Sequence, residues 1–450
     1  MKKILALVLT MVMVLSLAAC GSNNNAKDTD PKASSDATQA PAGTDNAGTE
    51  QVNLSLSWWG GDTRHDATMK AVDKFMETYP NIKVTYTYDA WTGWEDKMST
   101  SFYANTAPDV NQINWNWITS FSSDGSKFLD LNTVSDTLDL TQFDQAALEQ
   151  CTVSGELQAV PVSMTGRIFF WNKATFDKAG ISVPTTFAEL KAAAATFQEK
   201  LGADYYPLVV GEYDRFILMV YYLESVYGKA WVENNTLNYT KEEIQKGYEW
   251  IQSLEADKII PSIETILGDG AESIDKNPNF ADGHYAGIFE WDTGAPKYDS
   301  ILKESGGELV VGNFFKDLGE FQGGFAKVSL GFAISETCKN PKEAAMLVNF
   351  LLNEEAGVEL MASERGVPLS KKALQVVTDK GLVNPIVGEA NKRVLEWVQF
   401  PLDPFFEDAK LKANPTGAYV DTMAGLSYGD YDAATAADMV TTTINEVLGQ

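Results

Sequence analysis

Residues 52–88 read VNLSLSWWGGDTRHDATMKAVDKFMETYPNIKVTYTY, and this stretch contains two different apolar periods. Apolar and polar residues alternate from Val52 to Trp58, which predicts a β-strand. Apolar residues then recur at helical spacing until Pro80, which cannot continue a helix. Alternation returns over 82–88. The stretch therefore predicts a strand, a helix and a second strand in succession.

The same order of elements continues along the chain. A second helical period covers residues 91–102, and a third strand is predicted over 107–113. Capping boxes at Thr186 and Thr240 indicate the starts of further helices, and a short buried strand is predicted over 207–210. Strands that alternate with helices predict a parallel sheet with helices on its faces, which is an α/β fold.

Length and charge limit the class of protein. The chain has 450 residues and a formal net charge of −27, without a basic stripe. This charge argues against nucleic acid or an anionic membrane surface as a partner. A core of about 400 residues is too large for one ordinary domain, so two lobes are expected. Because the chain contains 11 Trp, we expect some of these rings to line a ligand surface.

The N-terminus has the pattern of a secretory signal. Two lysines precede the apolar run Ile4–Leu17, which ends in Leu17-Ala18-Ala19-Cys20. The run is too short for a membrane-spanning helix, and it predicts a signal peptide over residues 1–19. The segment around Cys20 resembles a lipobox, which implies acylation of that cysteine. Residues 20–50 are polar and predict a flexible tether, although a ragged end of any secreted protein has the same composition.

Cysteine and histidine are rare in this chain. Cys151 and Cys338 are left after Cys20, and either a disulfide between them or two buried thiols fits the sequence. His65 and His284 are the only histidines, so the sequence predicts no His-rich metal site. No cofactor is predicted either.

Several segments together resemble one known family, the extracellular solute-binding proteins of carbohydrate ABC transporters, of the maltodextrin-binding-like kind. The resemblance covers essentially the whole mature chain and depends on the order and spacing of its segments. They are Trp58–Asp62, Thr106–Val110, Leu157–Asn172, Phe176–Gly180, Pro184–Phe187 and Ala344–Met361.

The resemblance implies a two-lobed, type II periplasmic-binding-protein-like fold whose hinge is crossed more than once. The first lobe would consist of residues 51–160 and 300–365, and the second of residues 161–299 and 366–450. The protein would bind a mono- or oligosaccharide between the lobes as a monomer and deliver it to the membrane subunits of an ABC permease.

The loop after the first strand combines aromatic and polar residues, which is the mixture that a sugar site needs. Trp59 and Asp62 are the favoured ligand residues here, and Arg64 and His65 follow them. Trp58 is a further candidate, but it continues the apolar face of its strand, so core packing is the alternative for it.

Other candidates follow later strands or lie in the presumed crossing segments. Trp115 and Trp117 are separated by one residue, so we expect only one of them to face the cleft. For Arg167 an interlobe salt bridge is the alternative, and for Gly324 it is a tight turn. The remaining candidates are Trp91, Trp291, Asp292 and Arg365.

Basic residues near these positions suggest a narrower ligand class. If several of Arg64, His65, Arg167 and Arg365 enter the cleft, the ligand is an acidic sugar such as a uronic-acid oligosaccharide. The segment Trp58–His65 also resembles binding proteins for pectin-derived oligogalacturonides.

The main alternative is a secreted, lipid-anchored glycosidase or lyase that acts on polysaccharide, because a carboxylate pair can be drawn from 62 acidic residues. No hydrolase, zinc-protease, phosphate-loop or dinucleotide motif is present, so a non-enzyme is predicted. The same fold binding peptides, metals or polyamines, and a surface adhesin or sensor, are further alternatives. The predicted location is the outer face of the cytoplasmic membrane, on a Gram-positive-type surface.

Overall fold

The computed structural model describes residues 51–91, 93–271 and 273–449. The predicted signal peptide, the lipidation site Cys20 and the tether to residue 50 lie outside the described residues. Within them, no helix has both the length and the apolar character needed to cross a membrane.

The N-terminal strands and helices confirm the predicted order. They are β1 (Val52–Trp59), α1 (Asp62–Thr78), β2 (Ile82–Asp89), α2 (Trp94–Tyr103) and β3 (Val110–Asn114). β1 pairs in parallel with both β2 and β3, as the crossover helices require. The buried residues of α1 are Thr68, Ala71, Val72 and Phe75, and their spacing places them on one face of the helix.

The remaining strands include two long ones, β6 and β11, that lie side by side. The strands are β4 (Thr152–Val153), β5 (Glu156–Leu157), β6 (Val160–Asn172), β7 (Val232–Glu233), β8 (Thr236–Leu237), β9 (Gly287–Trp291), β10 (Leu309–Val311), β11 (Phe325–Ile334) and β12 (Phe400–Pro401). Among the described residues, one sheet has the order β10-β6-β11-β3-β1-β2, with β9 paired to β6 and β12 paired to β11.

Helices make up most of the rest of the described chain. They are α3 (Trp117–Ser120), α4 (Gln145–Glu149), α5 (Lys173–Ala179), α6 (Phe187–Lys200), α7 (Glu212–Tyr227), α8 (Lys241–Ala256), α9 (Ile263–Gly268), α10 (Pro278–Ala281), α11 (Ala295–Glu304), α12 (Pro341–Asn353), α13 (Glu355–Met361), α14 (Lys371–Asp379), α15 (Pro385–Trp397), α16 (Ala409–Lys412), α17 (Ala418–Tyr428) and α18 (Ala433–Val447). The capping boxes at Thr186 and Thr240 are confirmed. The strand predicted over 207–210 is wrong: these residues are buried, but they form only a single bridge from Val209 to Ile288.

The buried side chains form two large hydrophobic cores. The first core contains β1 to β3 with α1, α2 and α12, and the second contains α6, α7, α8, α17 and α18. β6 and β11 pair antiparallel and contribute to both cores. In β6, Val160 and Val162 belong to the first core and Ile168 to the second. These two strands therefore join two lobes.

The lobe boundaries derived from sequence stay a prediction. Buried residues between Leu302 and Ala326 pack in the second core, although they fall in the segment assigned to the first lobe. The first-core residues of β11 begin at Val328.

Both cysteines in the described part of the chain are free thiols. Cys151 is buried in the first core, and Cys338 is partly buried. Burial raises the pKa of both thiols, to about 12 for Cys338. Of the two alternatives left by the sequence, the structure has two unreactive thiols rather than a disulfide.

Candidate ligand-binding cleft

A cavity of about 1310 Å³ opens between the two cores. Its wall combines strand ends of the first lobe, the N-terminus of α7 and residues around α11 from the second lobe, the crossing strands β6 and β11, and the segment 407–431. The volume is large enough for more than one sugar ring. A ligand in this cavity would touch both lobes at once.

One wall of the cavity is aromatic. Trp59 and Trp91 line it with ring centroids 5.1 Å apart, and Trp91 is 40% exposed. Trp117 lies behind them in the core, 5.4 Å from Trp59 and 6.3 Å from Trp91, and its indole N–H donates to Glu95 at 3.0 Å. Trp91 therefore offers an open ring face on a rigid aromatic base, which suits the C–H face of a sugar.

The opposite wall carries an ion cluster centred on Arg167. Its Nη1 lies 2.8 Å from Asp214 Oδ1 and 3.3 Å from Glu290 Oε1, and it also donates to the Phe289 carbonyl at 2.8 Å. Arg167 itself is 4% exposed, whereas Asp214 and Glu290 line the cavity. Burial alone lowers the pKa of Arg167, but the two carboxylates raise it by more, so that the net shift is upward. The cluster thus presents carboxylate oxygens, which accept from sugar hydroxyls.

Trp291 lies beside this cluster and lines the cavity. The guanidinium carbon of Arg167 is 4.8 Å from its ring centroid, and the ammonium of Lys327 is 4.9 Å away. Because cations already occupy its π-system, Trp291 has less free ring surface than Trp91.

A third set of polar side chains surrounds Glu407, where the crossing strand β11 meets the C-terminal segment. Lys327 Nζ donates to Glu407 Oε1, and Lys412 Nζ is 3.7 Å from Glu407 Oε2. Asn114 donates to Oε2 at 3.2 Å, and Asn116 donates to the Glu407 carbonyl at 3.2 Å. Burial alone raises the pKa of Glu407, but Lys327 and Lys412, together with the hydrogen bond from Asn114, lower it to about 2. Glu407 is therefore ionised at neutral pH.

Four of the residues predicted from sequence line the cavity: Trp59, Arg64, Trp91 and Trp291. Arg64 is largely committed to the protein, since Nε donates to the Glu364 carbonyl at 2.9 Å and Nη1 to the Trp59 carbonyl at 3.3 Å. Burial lowers the pKa of Arg64 to about 10, against an opposing contribution from Glu364.

The other predicted residues of the first lobe are not in the cavity wall. Trp58 is fully buried, donates to His65 Nδ1 at 3.0 Å and stacks on Tyr88, so the core interpretation applies to it. Asp62 is exposed at the start of α1, outside the wall. Trp115 and Trp117 are both core residues, contrary to the expectation that one faces the cleft. Asn114 and Asn116 line the cavity instead.

The later candidates are also held by the protein. Asp292 is buried and accepts hydrogen bonds from Thr165, Thr293 and Asn391. Gly324 has φ +107° and donates to buried Glu224 at 2.8 Å, so its backbone conformation, not ligand approach, requires glycine.

Of the four basic residues considered for an acidic ligand, Arg64 lines the cavity and the other three do not. Arg365 is 3% exposed and donates to Gln112 and Thr68. His65 is outside the wall, and burial lowers its pKa, so it is neutral near pH 7. The third, Arg167, is neutralised by its two carboxylates.

Sequence reasoning missed the lysines of the cavity, Lys297, Lys327 and Lys412, together with Glu407. Lysine and glutamate are common on any protein surface, and no local sequence spacing distinguishes these four residues from the other lysines and glutamates of the chain. No group of three or more His, Cys, Asp or Glu in the described ranges is arranged to hold a metal ion.

Two α/β lobes that are joined by crossing strands, with an aromatic and polar cleft between them, define a type II periplasmic binding protein. A family model described as bacterial extracellular solute-binding protein matches residues 61–358. The chain therefore belongs to the bacterial extracellular solute-binding proteins, and the two-lobed α/β fold predicted from sequence is confirmed.

Solved structures with the same fold include a periplasmic oligogalacturonide binding protein from Yersinia enterocolitica in complex with saturated digalacturonic acid. It is 33% identical with a TM-score of 0.82, over 89% of this chain and 99% of that chain. A periplasmic solute binding protein from Pectobacterium atrosepticum is 32% identical with a TM-score of 0.82, at the same coverage.

Curated relatives match over shorter stretches. A diacetylchitobiose binding protein of Streptomyces coelicolor is 25% identical over 204 residues, which is 45% of this chain and 44% of that protein. The chain spans about a third to less than half of the length of the curated relatives that it matches.

Proposed function

We propose that this protein is the substrate-binding subunit of an ABC importer and that it binds an oligosaccharide in the cavity between its lobes. The ligand is an acidic, uronic-acid oligosaccharide. The protein acts as a monomer that carries its ligand to the membrane subunits of the permease, and it is not an enzyme.

The observation that carries this proposal is the composition of the cavity wall. An exposed indole, Trp91, lies on the first-lobe wall, and the carboxylates Asp214 and Glu290 lie on the second-lobe wall. Such a pair of walls fits a sugar ring, whose C–H face is apolar and whose rim carries hydroxyls. A cavity lined by both lobes also gives the ligand a way to favour the closed arrangement, since it binds that arrangement with more contacts.

The acidic ligand is supported by the cavity lysines and by the relative from Yersinia enterocolitica, whose structure holds digalacturonic acid. Among the described residues, the cavity wall has ten acidic and four basic side chains, and three of the basic ones are the lysines Lys297, Lys327 and Lys412. They can offset the carboxylates of an acidic sugar.

Lipid anchoring at Cys20, after removal of residues 1–19, is part of the same proposal. The anchored protein would lie on the outer face of the cytoplasmic membrane of a Gram-positive-type cell, with residues 20–50 as tether. Metabolic labelling with a fatty-acid analogue tests it: the wild-type protein is expected to be labelled and Cys20→Ala is not.

Calorimetric titration of the protein with digalacturonate, trigalacturonate and neutral oligosaccharides tests the proposed ligand. We expect saturable 1:1 binding of an acidic oligosaccharide that is recovered chemically unchanged. Turnover of the sugar would support the glycosidase or lyase alternative. If none of these sugars bound saturably, the proposal would be contradicted.

Replacing Trp91 by alanine is expected to weaken oligosaccharide binding roughly 10- to 30-fold, because a central tryptophan commonly dominates a binding site. The melting temperature should change little, since the ring is 40% exposed. Tyr103→Ala is the matched control: it removes an aromatic ring of the same lobe that is 62% exposed and lies outside the cavity wall. Equal affinities of the Trp91 variant and the control would contradict the assignment.

A further inference from the structure

The lysine cluster, which we define as Lys327, Glu407 and Lys412, has two basic side chains and one acidic side chain. Lys327 and Glu407 form a buried ion pair, each with 6% of its side chain exposed. Lys412 is the second ammonium beside the same carboxylate, at 3.7 Å from Oε2. With Glu407 ionised, two ammonium groups share one carboxylate, so the cluster has a net positive charge inside the cavity wall.

Within the described contacts, Lys412 is not bound as tightly as its neighbour. Its distance of 3.7 Å to Glu407 is beyond hydrogen-bond range, and its side chain is 20% exposed. Asp408 also lines the cavity, but it accepts from the Lys410 amide as the N-cap of α16 and forms no ion pair with either cluster lysine. The ammonium of Lys412 thus has donor capacity left for a ligand.

The other cations of the cavity have less to offer. Lys297 lies 3.5 Å from Asp275 and 3.7 Å from Glu290, so carboxylates of the protein surround it. Arg64 has two of its nitrogens bound to backbone carbonyls. Arg167 is bracketed by Asp214 and Glu290. Among the cavity cations of the described chain, Lys412 is therefore the one least engaged by protein groups.

The cluster also joins the two lobes. Asn114 and Asn116, at the end of β3 in the first lobe, donate to Glu407, which precedes α16 in a segment that packs in the second core. A carboxylate bound at Lys412 would add a charge-assisted contact to an existing interlobe network.

We infer that the lysine cluster is the subsite for a carboxylate of the bound sugar, with Lys412 as its direct partner. This inference rests on the proposed function, because it assigns the acid-recognising part of the same cavity. Lys412 is then a specificity-determining residue: it distinguishes a uronic acid from the neutral sugar of the same stereochemistry. The walls at Trp91 and at Asp214 and Glu290 contact ring and hydroxyls, which both sugars share.

The test compares digalacturonate with the matching neutral galactose disaccharide in calorimetric titrations. Lys412→Gln is expected to bind digalacturonate about 10- to 100-fold more weakly than wild type, as for the loss of one charge-assisted contact. Its affinity for the neutral disaccharide should stay within about 2-fold, because the ring and hydroxyl contacts are retained. Lys412→Arg keeps the charge and should retain most of the preference for the acid.

Lys410→Gln is the matched control, since it removes the same charge from the same short helix at an exposed position outside the cavity wall. Thermal melting of each variant checks that the fold is intact. If Lys412→Gln and Lys410→Gln both bind digalacturonate as wild type does, the carboxylate subsite lies elsewhere. A loss of digalacturonate affinity in Arg64→Gln alone would place the subsite at Arg64. Equal loss for acidic and neutral disaccharide would also overturn the assignment.

These outcomes leave the proposed function intact, because wild-type protein still binds digalacturonate in all of them. Wild-type protein that shows no saturable binding to any of the acidic or neutral oligosaccharides would instead contradict the proposed function itself.

Discussion

Arg167→Met is expected to lower the free energy of unfolding by about 3–5 kcal/mol. The substitution leaves Asp214 and Glu290 in the cavity wall without the guanidinium that lies 2.8 and 3.3 Å from them. A carboxylate that is withdrawn from water and deprived of its cation loses far more than an exposed ion pair contributes. Urea denaturation and thermal melting measure the effect.

Lys297→Met is the control for Arg167→Met. Lys297 lies 3.7 Å from the same Glu290, but 48% of its side chain is exposed, so we expect a loss below about 1 kcal/mol. The double variant Arg167→Met with Asp214→Asn should recover part of the loss, because it removes one of the two uncompensated carboxylates. A value for Arg167→Met within 1 kcal/mol of wild type would contradict the importance of this ion cluster.

Asp292→Asn is expected to change how stability depends on pH. Burial raises the pKa of Asp292 to about 6, although hydrogen bonds from Thr165, Asn391 and Thr293 act in the opposite direction. The folded-state pKa is therefore above the unfolded one, and folding favours the protonated acid. The stability contributed by this group is complete at low pH and is lost as the pH rises from about 4 to about 6.

The asparagine variant does not titrate, so it avoids this loss. Relative to wild type, its free energy of unfolding should rise by about 2 kcal/mol between pH 4 and pH 7, because each pKa unit corresponds to 1.36 kcal/mol and the unfolded carboxyl already titrates in part below pH 4. Urea denaturation at pH 4, 5, 6 and 7 measures the difference. Asp66→Asn, at an exposed position of α1, should show a difference that varies by less than about 0.5 kcal/mol. Parallel stability curves for wild type and Asp292→Asn would show that Asp292 is not the titrating group.

Local patterns predicted most of the fold of the N-terminal part. The alternation from Val52 to Trp58 and the helical period before Pro80 correspond to β1 and α1 within a few residues. The capping boxes at Thr186 and Thr240 involve atoms three residues apart, so the sequence alone contains the whole interaction. The strand predicted over 207–210 is reduced to a single bridge, because an isolated apolar run does not reveal whether a neighbouring strand is present to pair with it.

The candidate site was only partly predictable. Alternation along β1 places Trp58 and Trp59 on opposite faces, and the structure buries Trp58 while Trp59 lines the cavity. The same reasoning failed at Trp115 and Trp117, because β3 ends at Asn114 and the chain turns there into the short helix α3. Both indoles then enter the core, and the intervening Asn116 faces the cavity.

The sequence by itself determined the α/β class, the family resemblance and the acidic net charge, because each depends on composition, on neighbours a few positions apart, or on the order and spacing of segments along the chain. Only the tertiary structure decided which charged groups face the cleft. Lys327 and Glu407 are 80 residues apart, and Asn114 is 293 residues from Glu407, yet they share one buried carboxylate. Contacts between residues so far apart in sequence leave no local pattern from which they could be predicted. They arise where the crossing strand β11, the end of β3 and the C-terminal segment converge on the cavity.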